Sequence, residues 1–161
     1  MTVREATAGD ADGIGRVHAE SWLVAYAGIF PSGFLSQAVE QRRGMWGQLL
    51  ADPWMQETTL LVAEVDGRIA GFLHFGESEV FGLYVHPDAW GTGVAQRLME
   101  RFRPTGEAVL WTFPESAQAR RFYEKCGWEL TGAQTTRDFG DGVQRPQVQY
   151  RLRPFVRKRS R

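Results

Sequence analysis

One cysteine, Cys126, is all the thiol chemistry this 161-residue chain carries. No internal disulfide can form from it, and a reducing cytoplasm is the expected compartment. Long apolar runs are missing too. No stretch approaches the roughly 18 residues that a membrane span needs. The opening MTVREATAGD lacks the apolar centre of a secretory leader, so none is expected. Internal repeats, linkers and low-complexity tracts are absent. His18, His74 and His86 have no metal-ligand spacing with one another or with Cys126, so no metal is expected. Nor is there a net charge: 19 Lys and Arg stand against 19 Asp and Glu.

That balance is uneven along the chain. The last eleven residues, RLRPFVRKRSR, hold six basic residues and no acid, which leaves 13 basic against 19 acidic in the remainder. Such a tail can touch nucleic acid or an acidic partner, or be a solvated end. The acidic body argues against a nucleic-acid footprint on the domain itself. The composition is that of an ordinary globular protein, and the length suits one domain, placed at 1–153 with a basic tail at 154–161.

The elements follow from period and punctuation. Val3 to Ala6 is a short strand. Asp10 is positioned to cap a helix that turns Ile14, Val17, Trp22 and Tyr26 toward a core. A second helical region carries Phe34, Leu35, Val39, Met45, Trp46, Leu49 and Leu50, broken by Gly44 and ended by Pro53. TLLVAEVDGRIAGFLHFG reads as a hairpin around Asp66-Gly67. EVFGLYVHP is a strand stopped by Pro87. After it a helix begins, with Val94, Ala95, Leu98, Met99 and Phe102 on its apolar face. EAVLWTF is a strand, and ESAQARRFYEKCG a helix closed by Gly127. The last 25 or so residues before the tail read as two antiparallel strands joined at FGDG. The order is β-α-α-β-β-β-α-β-α-β-β: an α/β (α+β) chain with a mixed, mostly antiparallel central sheet flanked by helices.

The junction LYVHPDAWGTGVAQRLMERF is the most informative stretch. A helix start leaves N–H groups unpaired beneath a positive dipole end. Gly91 and Gly93 place no side chain in front of them. This is a phosphate cradle or a plain tight turn. A dinucleotide fingerprint needs a third glycine where Gln96 stands, and no G-x-x-x-x-G-K-[ST] string occurs. Both usual nucleotide loops are therefore excluded.

WGTGVA, residues 90–95, resembles the acetyl-CoA loop Q/R-x-x-G-x-G/A of the GNAT superfamily of N-acetyltransferases, with Gly93 and Ala95 in place and Trp90 where Gln or Arg is usual. The preceding E-x-x-x-L-x-V-x-P strand is similar to the family's as well. SAQARRFYEKCGWE resembles its second signature, N-x-x-A-x-x-φ-Y-x-x-x-G-F. Ala119, Phe122, Tyr123 and Gly127 match, while Ser116 stands for Asn and Trp128 for Phe. The opening strand and helix are also similar, so the likeness runs in order over nearly the whole chain.

The resemblance implies acetyl-CoA as donor and a primary amine, on a small molecule or a polypeptide, as acceptor. It implies central strands that splay apart to admit the pantetheine arm beside Leu83, Tyr84 and Val85. The diphosphate would then lie on Trp90, Gly91, Thr92, Gly93, Val94 and Ala95, with the Thr92 hydroxyl as an added donor. Ser116, Ala119 and Tyr123 complete the expected cofactor contacts. Tyr123 is the expected general acid and Glu79 the expected base, against the alternatives of a packed ring and a solvated carboxylate. Trp22, Tyr26, Trp54 and Glu79 are the expected acceptor contacts, with core packing the alternative for the aromatics. Cys126 reads as a small core residue. A non-catalytic acyl-CoA sensor on the same fold is the alternative function. A homodimer is left open, and no membrane partner is expected.

Overall fold

The computed structural model describes residues 1–154. Residues 155–161, most of the basic tail, lie outside the described residues. The described chain clusters into two compact units. One holds Met1–Gly76 and Phe81–Arg101, the other Glu77–Val80 and residues 102–154.

The first unit is built on strands β1 (Thr2–Glu5), β2 (Thr59–Val65), β3 (Arg68–Phe75) and β4 (Val80–Val85), neighbours in that order. Asp66 and Gly67 take φ of 50° and 76°. Those values suit the primed turn that matches strand twist, and Val65 pairs with Arg68 across it. Helix α1 (Ala11–Ala25) buries Ile14, Val17 and Trp22. Asp10 does not cap α1 as the sequence suggested. Its carboxylate turns back to accept the Thr7 N–H at 2.8 Å and both terminal nitrogens of Arg4. The Arg4 bond holds its pKa at about 2 against burial.

The second helical region is three pieces, α2 (Ser32–Gly44), α3 (Trp46–Leu50) and α4 (Pro53–Gln56). Gly44 ends α2 as expected. Pro53 starts α4 instead of merely ending a helix. Proline needs no N–H at a first helical position, and Asp52 caps the turn by accepting from Trp54 N at 2.8 Å. Gly15 permits the approach of α1 to α2: a Cβ there would lie 2.2 Å from the Arg43 carbonyl oxygen.

The second unit has strands β5 (Ala108–Thr112), β6 (Glu129–Asp138) and β7 (Gln144–Leu152), ordered β5-β7-β6 and antiparallel throughout. Within this unit Val109 N donates to the Ser78 carbonyl at 2.9 Å, and Glu79 forms a parallel bridge with Val109. Helix α6 (Ala117–Lys125) ends in a Schellman turn at Gly127, φ 92°. Trp128 N bonds the Tyr123 carbonyl at 3.0 Å and Gly127 N bonds that of Glu124 at 3.1 Å. The Tyr123 and Trp128 rings, 6.3 Å apart, supply the apolar contact that accompanies this cap.

Candidate functional site

In the first unit, β4 ends at Val85 and a short 3₁₀ turn, Pro87–Ala89, leads to helix α5 (Val94–Met99). Gly91 and Gly93 have φ of +75° and +89°, a region where glycine carries no Cβ penalty. A Cβ at either would meet nothing within 4 Å, so the space over this backbone is open. The bond from Arg97 N to the Gly93 carbonyl, 3.1 Å, is α5's first turn. The N–H groups of Val94, Ala95 and Gln96 therefore lack an acceptor within their own helix. Helix-start donors beside two glycines whose side-chain positions are empty fit a diphosphate. With only six residues α5 has a weak dipole, so the N–H groups themselves must do most of the holding.

Two side chains of the loop are used internally. The Trp90 indole N–H donates to the Val85 carbonyl at 2.8 Å, tying the loop to the strand end. Trp90 thus braces the turn where Gln or Arg would reach a ligand. The Thr92 hydroxyl donates to the Ala89 carbonyl. This corrects the expectation that it is a spare donor: a phosphate could take that proton only if the turn bond broke. Gly71 explains how α5 sits on the sheet, since a Cβ there would come within 2.9 Å of Val94 and 3.0 Å of the Tyr84 carbonyl.

Tyr84 offers backbone rather than ring. Its ring centroid lies 4.7 Å from His18 and 5.4 Å from Phe72, against the core. Strand alternation puts Leu83 and Val85 on the other face, both half-buried.

The expected acceptor wall is not one group. Trp22 is only 3% exposed; Phe30 stacks on it at 5.5 Å and the Arg42 guanidinium carbon lies 3.4 Å from its ring centroid. Phe30 and Arg42 both pack on the Trp22 ring, which favours core packing, the alternative reading for it. Tyr26, the residue that closes α1, is half-buried beside it. Trp54 belongs to a different cluster, with Phe81 and His74 at 5.3 Å each. Trp54 and Phe81 are exposed. His74 is buried, bonded through Nε2 to the Thr58 hydroxyl at 2.8 Å, and burial lowers its pKa to about 4. The cluster's floor is therefore uncharged at neutral pH.

In the second unit, Glu79 is half-buried, and burial raises its carboxyl pKa above the ordinary value. A higher pKa suits a base that must accept a proton near neutral pH. Tyr123 is 9% exposed, with its ring 6.1 Å from that of Tyr150. Ser116 holds the N-terminal position of α6 without a side-chain cap, and Ala119 is half-buried one turn on. Cys126, half-buried, is the residue before Gly127 in the helix-ending turn.

Sequence reasoning missed a chain next to Tyr123. Arg120 Nε donates to the Tyr150 oxygen at 2.9 Å, and the Tyr150 hydroxyl donates to Glu124 at 2.8 Å. Burial, with Glu124 as acceptor, raises the Tyr150 pKa despite Arg120. It also missed Glu20 of α1, which bonds His86 Nε2 beside the glycine loop. The only local sign of that pairing was a histidine before Pro87, a capping position. Among the described residues no group of three or more His, Cys, Asp and Glu is placed to hold a metal, and no helix is long and apolar enough to cross a membrane.

Residues 56–130 match the family model of the acetyltransferase (GNAT) domain. A probable N-acetyltransferase of Mycobacterium tuberculosis is 25% identical, over 94% of this chain and 93% of that protein. The PaiA N-acetyltransferase of Thermoplasma acidophilum, solved with coenzyme A, superposes with a TM-score of 0.71 at 18% identity, covering 94% of this chain and 98% of its own. YncA of Salmonella typhimurium, solved with acetyl-CoA, gives 0.62 at 21% identity, covering 94% and 92%.

Proposed function

From a chain that carries the GNAT acetyltransferase domain, we propose an enzyme that moves an acetyl group from acetyl-CoA to a primary amine of a small molecule or polypeptide by direct attack. The observation that carries this reading is the open, glycine-lined turn between β4 and α5, inside the matched span. Residues 1–153 would act as one acetyltransferase domain.

Acetyl-CoA, when bound, supplies a thioester whose acyl carbon is open to attack. The N–H groups of Gly93, Val94 and Ala95 hold its diphosphate, in the turn set by Trp90, Gly91 and Thr92. Backbone groups of Leu83, Tyr84 and Val85 pair with the pantetheine amides, as an added strand would. The Val85 carbonyl is already taken by Trp90, so that pairing falls on the other groups. Ser116 and Ala119 contact the cofactor from the start of α6.

Glu79 removes a proton from the acceptor ammonium, directly or through a water. For an alkylamine of pKa about 10.4, neutralisation at pH 7 costs about 4.6 kcal/mol, which is the task a base must meet. The neutral amine attacks the carbonyl carbon. A strand N–H near Leu83 or Val85 receives the developing oxyanion, worth around 3 kcal/mol by comparison with other oxyanion holes. The carbon–sulfur bond breaks, Tyr123 gives its hydroxyl proton to the leaving thiolate, and the surplus proton that the nitrogen sheds as the amide forms restores the Tyr123 hydroxyl. Trp54 and Tyr26, not the buried Trp22, remain as acceptor contacts, and an aromatic surface suits an apolar or cationic amine.

The test is thiol release from acetyl-CoA with a panel of amines, on wild type, Tyr123→Phe and Glu79→Gln. Tyr123→Phe should lower kcat on the order of 10²-fold while coenzyme A still binds. Glu79→Gln should lose most kcat/KM at low pH and recover toward the amine's pKa, because more acceptor then arrives neutral. A loss equal at every pH removes Glu79 as base. Coenzyme A binding with no thiol release from any amine favours a non-catalytic acyl-CoA sensor.

A further inference from the structure

Glu20 and His86 lie 66 residues apart, and their side chains meet: Glu20 Oε2 bonds His86 Nε2. The other His86 nitrogen, Nδ1, accepts the Asp88 backbone N–H at 3.1 Å. An acceptor nitrogen carries no proton, so the ring's proton sits on Nε2 and points at Glu20. The second Glu20 oxygen is 3.7 Å from Arg43 of α2. Burial tends to raise the Glu20 pKa, but His86, Arg16 and Arg43 together outweigh it, and the net shift is downward. Glu20 is thus held as a carboxylate, able to accept from His86.

His86 stands where β4 gives way to the glycine loop. Its N–H bonds the Ala70 carbonyl at 2.8 Å and its own carbonyl accepts from Ala89 at 2.8 Å. Trp90 then bonds back to Val85, and Thr92 to Ala89. Two bonds in this series reach beyond the strand end and loop: the His86 N–H to Ala70 of β3, and the Glu20 contact. Among the described residues, the Glu20 contact is the side-chain hydrogen bond that ties the loop's entry to helix α1. His86 is the tether point because its imidazole reaches both ways, capping the 3₁₀ turn with one nitrogen and meeting α1 with the other.

We propose that Glu20 is a positioning residue for the acyl-donor loop. Through His86 it fixes the entry of the turn whose N–H groups receive the diphosphate. This rests on the reading of that turn as a coenzyme A cradle. Glu20 itself need not touch any ligand. Pre-ordering the loop lowers the ordering cost of binding, so its loss appears in affinity and KM for the donor. It leaves kcat at saturating donor little changed.

Coenzyme A binding by calorimetry, with KM and kcat for acetyl-CoA, tests this in Glu20→Ala, Glu20→Gln and His86→Asn. Asn can still cap the Asp88 N–H but is too short to reach Glu20, so it cuts the tether and keeps the cap. We expect Glu20→Ala and His86→Asn each to weaken binding at least fivefold and raise KM similarly, with kcat within twofold. Glu20→Gln, whose amide oxygen can accept from Nε2–H, should stay within twofold of wild type. The Glu20→Ala/His86→Asn double variant should bind no worse than the weaker single one, since the same link is cut once. Losses that multiply, or full affinity in a folded His86→Asn protein, overturn the proposal. His86→Asn decides the matter alone if Glu20→Ala does not fold. If wild type binds no coenzyme A, the cradle reading fails first, a result separate from the tether's.

Discussion

His18 should make this protein acid-sensitive by an amount that can be worked out. The residue is buried in α1, with the rings of Trp22, Trp46, Phe72 and Tyr84 around it. Its Nδ1 accepts the Trp46 indole N–H at 3.1 Å. Burial, helped by the nearby charge of Arg42, lowers its pKa from 6.5 to about 3. A folded-state pKa below the unfolded one means that the unfolded chain takes up the proton first as pH falls. The stabilisation is therefore complete above about pH 6.5 and is lost as pH drops toward 3. One proton gives a slope of about 1.4 kcal/mol per pH unit in that window. Between pH 7 and 5 the loss is roughly 2 kcal/mol, a sizeable share of the about 5–15 kcal/mol that holds a typical domain together. His74, lowered to about 4, acts in the same direction. Urea unfolding at half-unit steps from pH 7.5 to 5 measures the slope. His18→Gln removes the titration and leaves a side chain able to accept from Trp46. Its stability at pH 7 can fall through poorer packing. Its slope between pH 6 and 5 should be shallower than wild type by about 1.2 kcal/mol per unit. Equal slopes in the two proteins would refute a neutral, buried His18. The same result sets a limit for the Glu79→Gln profile, which should be read above about pH 6.5, where the His18 stabilisation is complete.

Two further outcomes follow from the glycines. Gly93→Asp places a carboxylate and a Cβ over the donors of the cradle, and coenzyme A affinity by calorimetry should fall more than tenfold, about 1.4 kcal/mol. Gly93→Asn, which tolerates positive φ without the charge, should lose much less, and equal losses would point to backbone strain rather than repulsion. Gly15→Ala gains about 1 kcal/mol of helix propensity in an open helix. Here its Cβ would sit 2.2 Å from the Arg43 carbonyl, so we expect net destabilisation of about 1–3 kcal/mol by chemical denaturation.

The parts legible in the sequence were those set by local rules. Asp66-Gly67 made its turn, Gly127 its helix end and Gly93 the start of α5, because each needs only a backbone angle or a period of a few residues. The GNAT fold was legible for the same reason: its glycines and its strand and helix signatures lie in short, ordered strings. What the tertiary structure decided was where side chains spend their hydrogen bonds and faces. Asp10 turns to Arg4 and Thr7 instead of capping α1. The Thr92 hydroxyl, read as an added donor to a ligand, is bonded inside its own turn, and the Trp90 indole is spent on the Val85 carbonyl. Trp22 shares its helix period with residues that could line a cleft, yet Phe30 and Arg42 cover it. Glu20 reads as one more helical acid until His86 arrives from 66 residues away. A period tells which face a residue is on. Only the packed chain tells what stands opposite, because the partner is chosen by distance in space and not by spacing in sequence.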